Sequence, residues 1–393
     1  MDNPLVYIPM DRRHALAYGV TLPDRAQGAG LFADISGFTQ LTEALVRELG
    51  PQRGAEELTR YLNLVYDAVI DELHRFGGSV IAFAGDAITC WLDGDNGLRA
   101  TACALAMQTA MERFAAISTP AGNTVALAMK AAVAVGPVRR FLVGDPSLRV
   151  IDALAGETLA RLANAEHQAQ RGEVVIASDG QIASLTLQTL HDAFHVSELR
   201  QDPNTGHGVA VVAGLRQTVA DAPWSVLAPD ALSDEHVRVW LLPPVYERLR
   251  RGLGDFLAEL RPTVALFVRF GGIDYDNDDD AGAKLDAYMR WVQAIVDRYE
   301  GTLVDLNIGD KGSYLYINFG APLAHEDNAD RSAAAALALR ALPDTLSYIG
   351  QVQIGISQGR MRAGAYGGAN HRTYGVLGDE VNMAARLMMA AKP

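Results

Sequence analysis

The sequence predicts an α/β fold, an α+β sandwich domain written twice, and three observations carry that expectation. At 393 residues, 49% hydrophobic and 21% charged, the chain is too long for one ordinary core and too apolar to stay disordered. Four sequence blocks recur in one order at nearly constant spacing. Within each copy, stretches of helical period alternate with stretches of strand period.

The recurring blocks define the units. LFADISGFT (31–39) returns as LFVRFGGID (266–274), and AFAGDAITCWL (82–92) returns as NIGDKGSYLYI (307–317). AAVAVGPV (131–138) pairs with IGISQGRM (354–361), and LAGETLARL (154–162) with LGDEVNMAARL (377–387), both offset by 223 residues. The division expected is an N-terminal arm (1–24), a first domain (25–213), a linker (214–260) and a second domain (261–393).

In the first copy, Leu58, Leu62, Val65, Val69 and Leu73 fall at helical spacing within 53–75. Residues 79–92 then read as a strand pair turning at Gly85-Asp86, 98–116 as an Ala-rich helix and 125–135 as a strand. The second copy repeats the order, with a helix at 281–299, a strand pair at 302–319, a helix at 328–341 and a strand at 351–357. Strand-helix-helix-strand-strand-helix-strand gives one sheet per copy with helices packed on it. Between the copies, Pro223 and the Pro243-Pro244 pair punctuate a linker with short helices.

Composition excludes several classes. A net charge of −13 with no Lys/Arg-dense run argues against nucleic acid as a partner. Cys90 and Cys103 sit in apolar segments and form neither a disulfide framework nor a metal spacing, which fits a reducing, cytoplasmic setting. No apolar run approaches the roughly 20 residues of a membrane span, so none is expected. No GxxxxGK[ST] or GxGxxG follows a strand, which removes the P-loop and Rossmann readings. The sequence stops at Met388–Pro393, in what reads as a helix and its exit turn, as a fragment of something longer would.

Four side chains stand out chemically. Asp34 ends an apolar strand and precedes Ile35-Ser36-Gly37-Phe38-Thr39, a small-residue turn leading into a helix, whose backbone N–H groups can hold phosphate oxygens. Asp86 lies in the Ala84-Gly85-Asp86 turn, and two carboxylates converging at one sheet edge are what Mg²⁺ prefers beside nucleotide phosphates. In the second copy Arg269 replaces the first aspartate, while Asp310 keeps the second position. That copy instead carries Asn382 and Arg386, four residues apart on one helix face, where the first has Leu159 and Ala163. Each copy holds what the other lacks, and an amide with a guanidinium is suited to stabilising charge on phosphorus.

FADISGFT with GDAITC, and TYGVLGDEVNMAARL, together resemble the catalytic domains of class III adenylyl and guanylyl cyclases. The tandem arrangement, with GDKGSYLYINFGAPLAHEDNADR in the second copy, is most similar to bicarbonate-responsive soluble adenylyl cyclases and their bacterial relatives. The resemblance covers roughly 25–190 and 262–393 and implies a ferredoxin-like nucleotide cyclase fold, with the two copies paired head to tail as an intramolecular pseudo-heterodimer. It implies that Asp34, Asp86 and the Ile35 carbonyl bind two Mg²⁺ ions, for which Mn²⁺ can substitute, and that Ser36, Gly37, Phe38, Thr39 and Gly85 meet the nucleotide. Asn382 and Arg386 would then stabilise the transition state as ATP becomes cyclic AMP and pyrophosphate. Relatives of this kind often continue into an ATPase and helical repeats.

The chain departs from that pattern at the base. Adenine-selective relatives carry Lys where Asp305 stands and Asp or Thr where Gly375 stands, so GTP is an alternative substrate and Thr373 or groups near Val376 could read adenine instead. A regulatory pseudo-cyclase is the reading from another class. Bicarbonate-responsive cyclases place Lys four residues before the second metal aspartate; Ala82 there predicts weak or absent bicarbonate activation.

Overall fold

The fold follows from where the apolar strands run and what each long hairpin reaches. A computed structural model describes residues 3–178, 192–203, 206–228, 230–253, 259–309 and 312–392. In the first repeat β1 (Arg25–Ser36) is flanked by β3 (Ala87–Asp93) and β6 (Ala128–Val143). The sheet order is β2-β3-β1-β6-β8-β10-β9, with β2 (Ser79–Ala84), β8 (Val174–Ala177), β9 (Phe194–Gln201) and β10 (Gly208–Leu215), while β7 (Ile151–Ala155) pairs with the far end of β6. Helices α2 (Phe38–Leu49), α3 (Pro51–Arg75) and α4 (Leu98–Met111) cover one face; α5 (Glu157–Gln168) covers the other. A small ribbon, β4 (Ile117–Ser118) with β5 (Thr124–Val125), follows α4.

After the connecting helices α6 (Asp234–Arg238) and α7 (Pro243–Arg250), the second repeat builds the order β12-β13-β11-β14-β15. Its strands are β11 (Glu259–Phe270), β12 (Thr302–Gly309), β13 (Gly312–Phe319), β14 (Gln353–Gly367) and β15 (Arg372–Leu377); its helices are α8 (Ala281–Arg298), α9 (Asn328–Arg340) and α10 (Asp379–Ala390). The expected two-helix connection exists only in the first repeat. In the second, 271–280 (GGIDYDNDDD) stays a loop, because the Asp274 carboxylate accepts from the Asp276 and Asn277 amides, a local bond that competes with helix.

Strands β6 and β14 are much longer than the alternation at 125–135 and 351–357 predicts. Gly136-Pro137 reads as a strand end, but β6 continues through it, paired with β1 as far as Arg139 and with β7 from there to Val143; Gly136 lies under Thr158, whose Oγ1 would sit 2.5 Å from a Cβ there. The extensions form two arms, and each grips the other repeat's long helix. Gly144 and Asp145 at the tip of the β6–β7 arm donate to Asp286 Oδ1 (2.8 Å) and Gln293 Oε1 (2.7 Å) on α8. At the β14–β15 tip, Ala369 N donates to Asp67 and Asn370 Nδ2 to Asp71 (2.9 Å) on α3. The repeats thus pair head to tail.

The arm and linker are structural parts of that seam. The N-terminal α1 (Met10–Ala17) inserts Asp11 and Arg12 into a buried cluster, where Arg140 binds both Asp11 and Asp152, and Arg12 holds Asp152 at 2.9 and 3.1 Å. The Asp152 carboxyl is pushed below the usual carboxylate range by the two guanidiniums, against the opposing effect of its burial. Ile8 from the arm packs with Trp240, Leu241, Tyr246 and Leu249 of the linker, and with Val150 and Tyr374 near the two arm tips. No helix among the described residues is long and apolar enough to cross a membrane.

Candidate functional site

Asp34 lies near the carboxyl end of β1, in register with Ala87 on one neighbour and Lys130 on the other. Ile35 N donates to the Asp86 carbonyl at 3.2 Å, so the β2–β3 turn is tied to this strand end. Gly85 makes that turn at φ +68°, and the buried Tyr66 hydroxyl supports it by donating to the Gly85 carbonyl at 3.0 Å. The two aspartates therefore meet at one sheet edge. Crowding by protein, reinforced by the Asp34 carboxylate, pushes the Asp86 carboxyl up to about 6 even though the turn tip is open to solvent. Burial also raises Asp34, opposed by Lys130 and aided by Glu166. Two carboxylates held in each other's field, with a backbone carbonyl between them in sequence, form an oxygen donor set that fits a divalent cation. Among the described residues no group of three or more His, Cys, Asp or Glu gathers as a metal cluster, so this pair depends on further oxygens from water or substrate.

Gly37, at φ +106°, turns the chain directly into α2. A Cβ there would lie 2.5 Å from the Ala126 carbonyl oxygen, so only glycine passes. The first amides of α2, including those of Phe38 and Thr39, have no intrahelical acceptor, and the helix dipole makes this end attract anions. An open cavity of about 470 Å³ follows from that turn, lined by Asp34, Ser36, Gly37, Thr39, Lys130 and Arg171, among others. Ser36 Oγ is spent on the Ala128 carbonyl at 3.2 Å and serves the turn. Phe38 is buried in the core, so only its backbone faces this region.

Lys130 escaped the sequence reading. Its ammonium lies 3.5 Å from Asp34 Oδ2 and 2.5 Å from Glu166 Oε1. The available signal was a single charge within the apolar strand AMKAAVAV, opposite the strand that ends in Asp34.

The second repeat's contribution is positioned by α10. Ala384 and Met388 face its sheet, and a Cβ on Gly355 would overlap the Ala384 carbonyl and the Met388 amide, so glycine at that site sets how closely the helix seats on β14. Asn382 and Arg386 lie on the opposite, exposed face, and neither makes a hydrogen bond or ion pair with a described residue. All residues lining the cavity at Asp34 come from the first repeat, so the structure does not place Asn382 or Arg386 in that wall. Arg269, at the position matching Asp34, donates to Gln353 Oε1 at 3.0 Å; Asp310 lies outside the described residues.

The positions expected from sequence to read the base lie elsewhere. Asp305 and Thr373 line a cavity of only about 60 Å³ with Ala82, Phe83, Tyr366 and Arg149. Burial pushes Asp305 up to about 7, although the Arg149 guanidinium acts against it. Arg149 Nη1 donates to the Val304 carbonyl at 3.0 Å, while its buried Nε finds no partner among the described residues. The Tyr366 ring covers Gly375, with Cε1 2.7 Å from where a Cβ would stand. The Val376 carbonyl accepts from the Tyr316 hydroxyl at 3.1 Å.

Comparison with known proteins agrees with this architecture. No protein-family model matches the chain. It is 24% identical over 413 residues to human adenylate cyclase type 10 and 24% identical over 411 residues to the mouse protein, an alignment covering 99% of this chain. The chain spans about a quarter of the length of these curated relatives, 26% and 25% respectively. A class III adenylyl cyclase-like ATP-binding protein from Pseudomonas aeruginosa superposes with a TM-score of 0.63 at 13% identity, over 94% of this chain and 82% of that one. The fold is therefore that of class III nucleotidyl cyclases, and the likeness read from the motifs extends along both repeats.

Proposed function

We propose that this chain is a nucleotidyl cyclase that converts ATP to 3′,5′-cyclic AMP and pyrophosphate where its two repeats meet. The observation that carries the reading is the meeting of Asp34 and Asp86 at one sheet edge, beside the open amino end of α2 and the Lys130 ammonium. Similarity to adenylate cyclases along 99% of the chain supports it. Asp34, Asp86 and the Ile35 carbonyl would hold Mg²⁺, or Mn²⁺ in its place, which supplies charge neutralisation and a lowered pKa for the ribose 3′-hydroxyl.

The protein's own groups do the positioning. The α2 amides and Lys130 bind the triphosphate, and the closed β2–β3 turn keeps the two carboxylates fixed. Arg386 and Asn382, left unengaged on α10, stabilise charge on the α-phosphoryl oxygens. The 3′-hydroxyl gives up its proton to solvent water as its oxygen bonds to the α-phosphorus, the bond from that phosphorus to the bridging oxygen breaks, and pyrophosphate departs with the electron pair. The reading carries with it a cytoplasmic location, where ATP is available, and further C-terminal ATPase or helical-repeat domains in the whole protein.

One observation favours a second reading. The base-reading cavity is filled by Tyr366 and Arg149 and is smaller than a purine, as expected of a module that binds nucleotide in another pose without turnover. Cyclic-nucleotide production from ATP and from GTP, with Mg²⁺ or Mn²⁺, separates these. Turnover of ATP that is lost in Asp34→Ala and Arg386→Ala supports the cyclase; preferred turnover of GTP reassigns the substrate. Nucleotide binding without product from the folded chain supports the second reading, and activity surviving Asp34→Ala removes the metal assignment.

A further inference from the structure

Lys130 is shared between two acids of different kinds. Asp34 belongs to the candidate cation site, whereas Glu166 stands in the last turn of α5 and lines a separate cavity at the seam. The ammonium is closer to Glu166, at 2.5 Å from Oε1 against 3.5 Å from Asp34 Oδ2, and it also lies 3.5 Å from the Glu166 carbonyl. That carbonyl, which also accepts from the Ala169 amide at 3.1 Å, belongs to the carboxyl end of α5, the negative end of the helix dipole. All three side chains are largely shielded from solvent, with 27% of Asp34, 25% of Lys130 and 16% of Glu166 exposed. Water screens their interactions less than it would on an open surface.

A cation arriving at Asp34 and a lysine bound to the same carboxylate compete, because both draw on one negative charge. We propose that Glu166 is a positioning residue that draws Lys130 back from Asp34 onto the end of α5, leaving the Asp34 carboxylate available to a divalent cation and the ammonium beside the triphosphate cavity. The inference rests on the cation site of the proposed cyclase and adds a residue outside the motifs that define it. Without the Glu166 charge, Lys130 settles on Asp34 and the site becomes self-neutralised. Simple loss of an acid near a cation site also weakens binding, but does so with or without Lys130; here Glu166 matters only while Lys130 is present, and that dependence is the test.

The readout is Mn²⁺ binding to the full chain without nucleotide, followed by electron paramagnetic resonance, with thermal unfolding as a check on folding. Glu166→Gln is expected to weaken Mn²⁺ binding about five-fold, the scale of a partly exposed ion pair. Lys130→Met alone is expected to tighten it, and Lys130→Met with Glu166→Gln to bind at least as well as the parent. Glu166→Asp should restore most of the loss. An unchanged affinity in Glu166→Gln, or a double variant as weak as Glu166→Gln, overturns the inference while leaving the cation site intact. A parent protein that takes up no Mn²⁺ overturns the cation site as well, so the two failures are distinct. If Glu166→Gln fails to fold, Lys130→Met decides: equal or weaker Mn²⁺ binding refutes the competition.

Discussion

Placing threonine at position 375 tests whether an aromatic ring closes off the strand that carries Gly375. A Cβ on Gly375 would stand 2.7 Å from Tyr366 Cε1 and 3.2 Å from its hydroxyl oxygen. Tyr366 cannot yield easily. It is 4% exposed and boxed in by Phe83, with ring centroids 5.7 Å apart, and Tyr66, at 6.1 Å. Two effects oppose each other in Gly375→Thr: better strand propensity, worth up to about 1 kcal/mol, and overpacking, which costs about 1–3 kcal/mol when the neighbour is held. Because the contact falls below 3.0 Å against a held ring, overpacking wins, and a net loss of about 1–2 kcal/mol is expected by denaturant unfolding. Tyr366→Leu removes the outer ring, so the same threonine in that background should be neutral or stabilising, a coupling of at least about 1 kcal/mol. A Gly375→Thr that stabilises the otherwise unaltered chain, or costs the same in both backgrounds, refutes the reasoning.

Gly355→Ala forces α10 off β14 and should lower both thermal stability and any cyclase rate, since Asn382 and Arg386 travel with the helix; the unfolding midpoint and turnover of one preparation check it. Asp152→Ala leaves Arg140 and Arg12 short of a buried carboxylate and should cost about 3–5 kcal/mol in chemical unfolding, with a smaller loss when Arg140→Met accompanies it. His74 is pushed down to about 3, chiefly by burial and further by Arg13. The unfolded chain therefore takes up the proton first, so stability is full above about pH 6.5 and falls as pH drops below it, by about 2 kcal/mol between pH 7 and 5 for this residue. A His74→Leu variant should show a shallower pH dependence in denaturant titrations. Bicarbonate should leave cyclase turnover essentially unchanged at fixed pH and ionic strength, because Ala82 offers no cation.

The duplicated blocks were legible because each carries both a period and a chemical marker, and the strand pairs, the second-repeat helices and the Asp34 and Asp86 turns could be placed from sequence. What sequence missed was set by distant partners. The lengths of β6 and β14 depend on arms that end on α3 and α8, contacts made between residues about 140 to 300 apart in the chain. Lys130 reads as a stray charge until the β1–β6 register puts it opposite Asp34. The linker's prolines announce a break in regular structure, but not that Trp240 and Tyr246 pack with Ile8. Gly375 and Asp305 were legible as departures, whereas the Tyr366 ring over Gly375 comes from β14 and the Arg149 guanidinium beside Asp305 from the loop between β6 and β7.

The two repeats have diverged in chemistry while keeping reciprocal grips on each other, and the physical consequence is that neither repeat is a self-sufficient unit. Backbone amides at the tip of each arm donate to side chains on the opposite repeat, so separation would strip Gly144, Asp145 and Ala369 of those acceptors together. It would also unroof Val150 and Tyr374, which pack with the arm and linker residues Ile8, Trp240 and Leu249. Asn382 and Arg386 stand exposed on α10, so how far they lie from Asp34 and Asp86 is set by how the two repeats are held together at this seam.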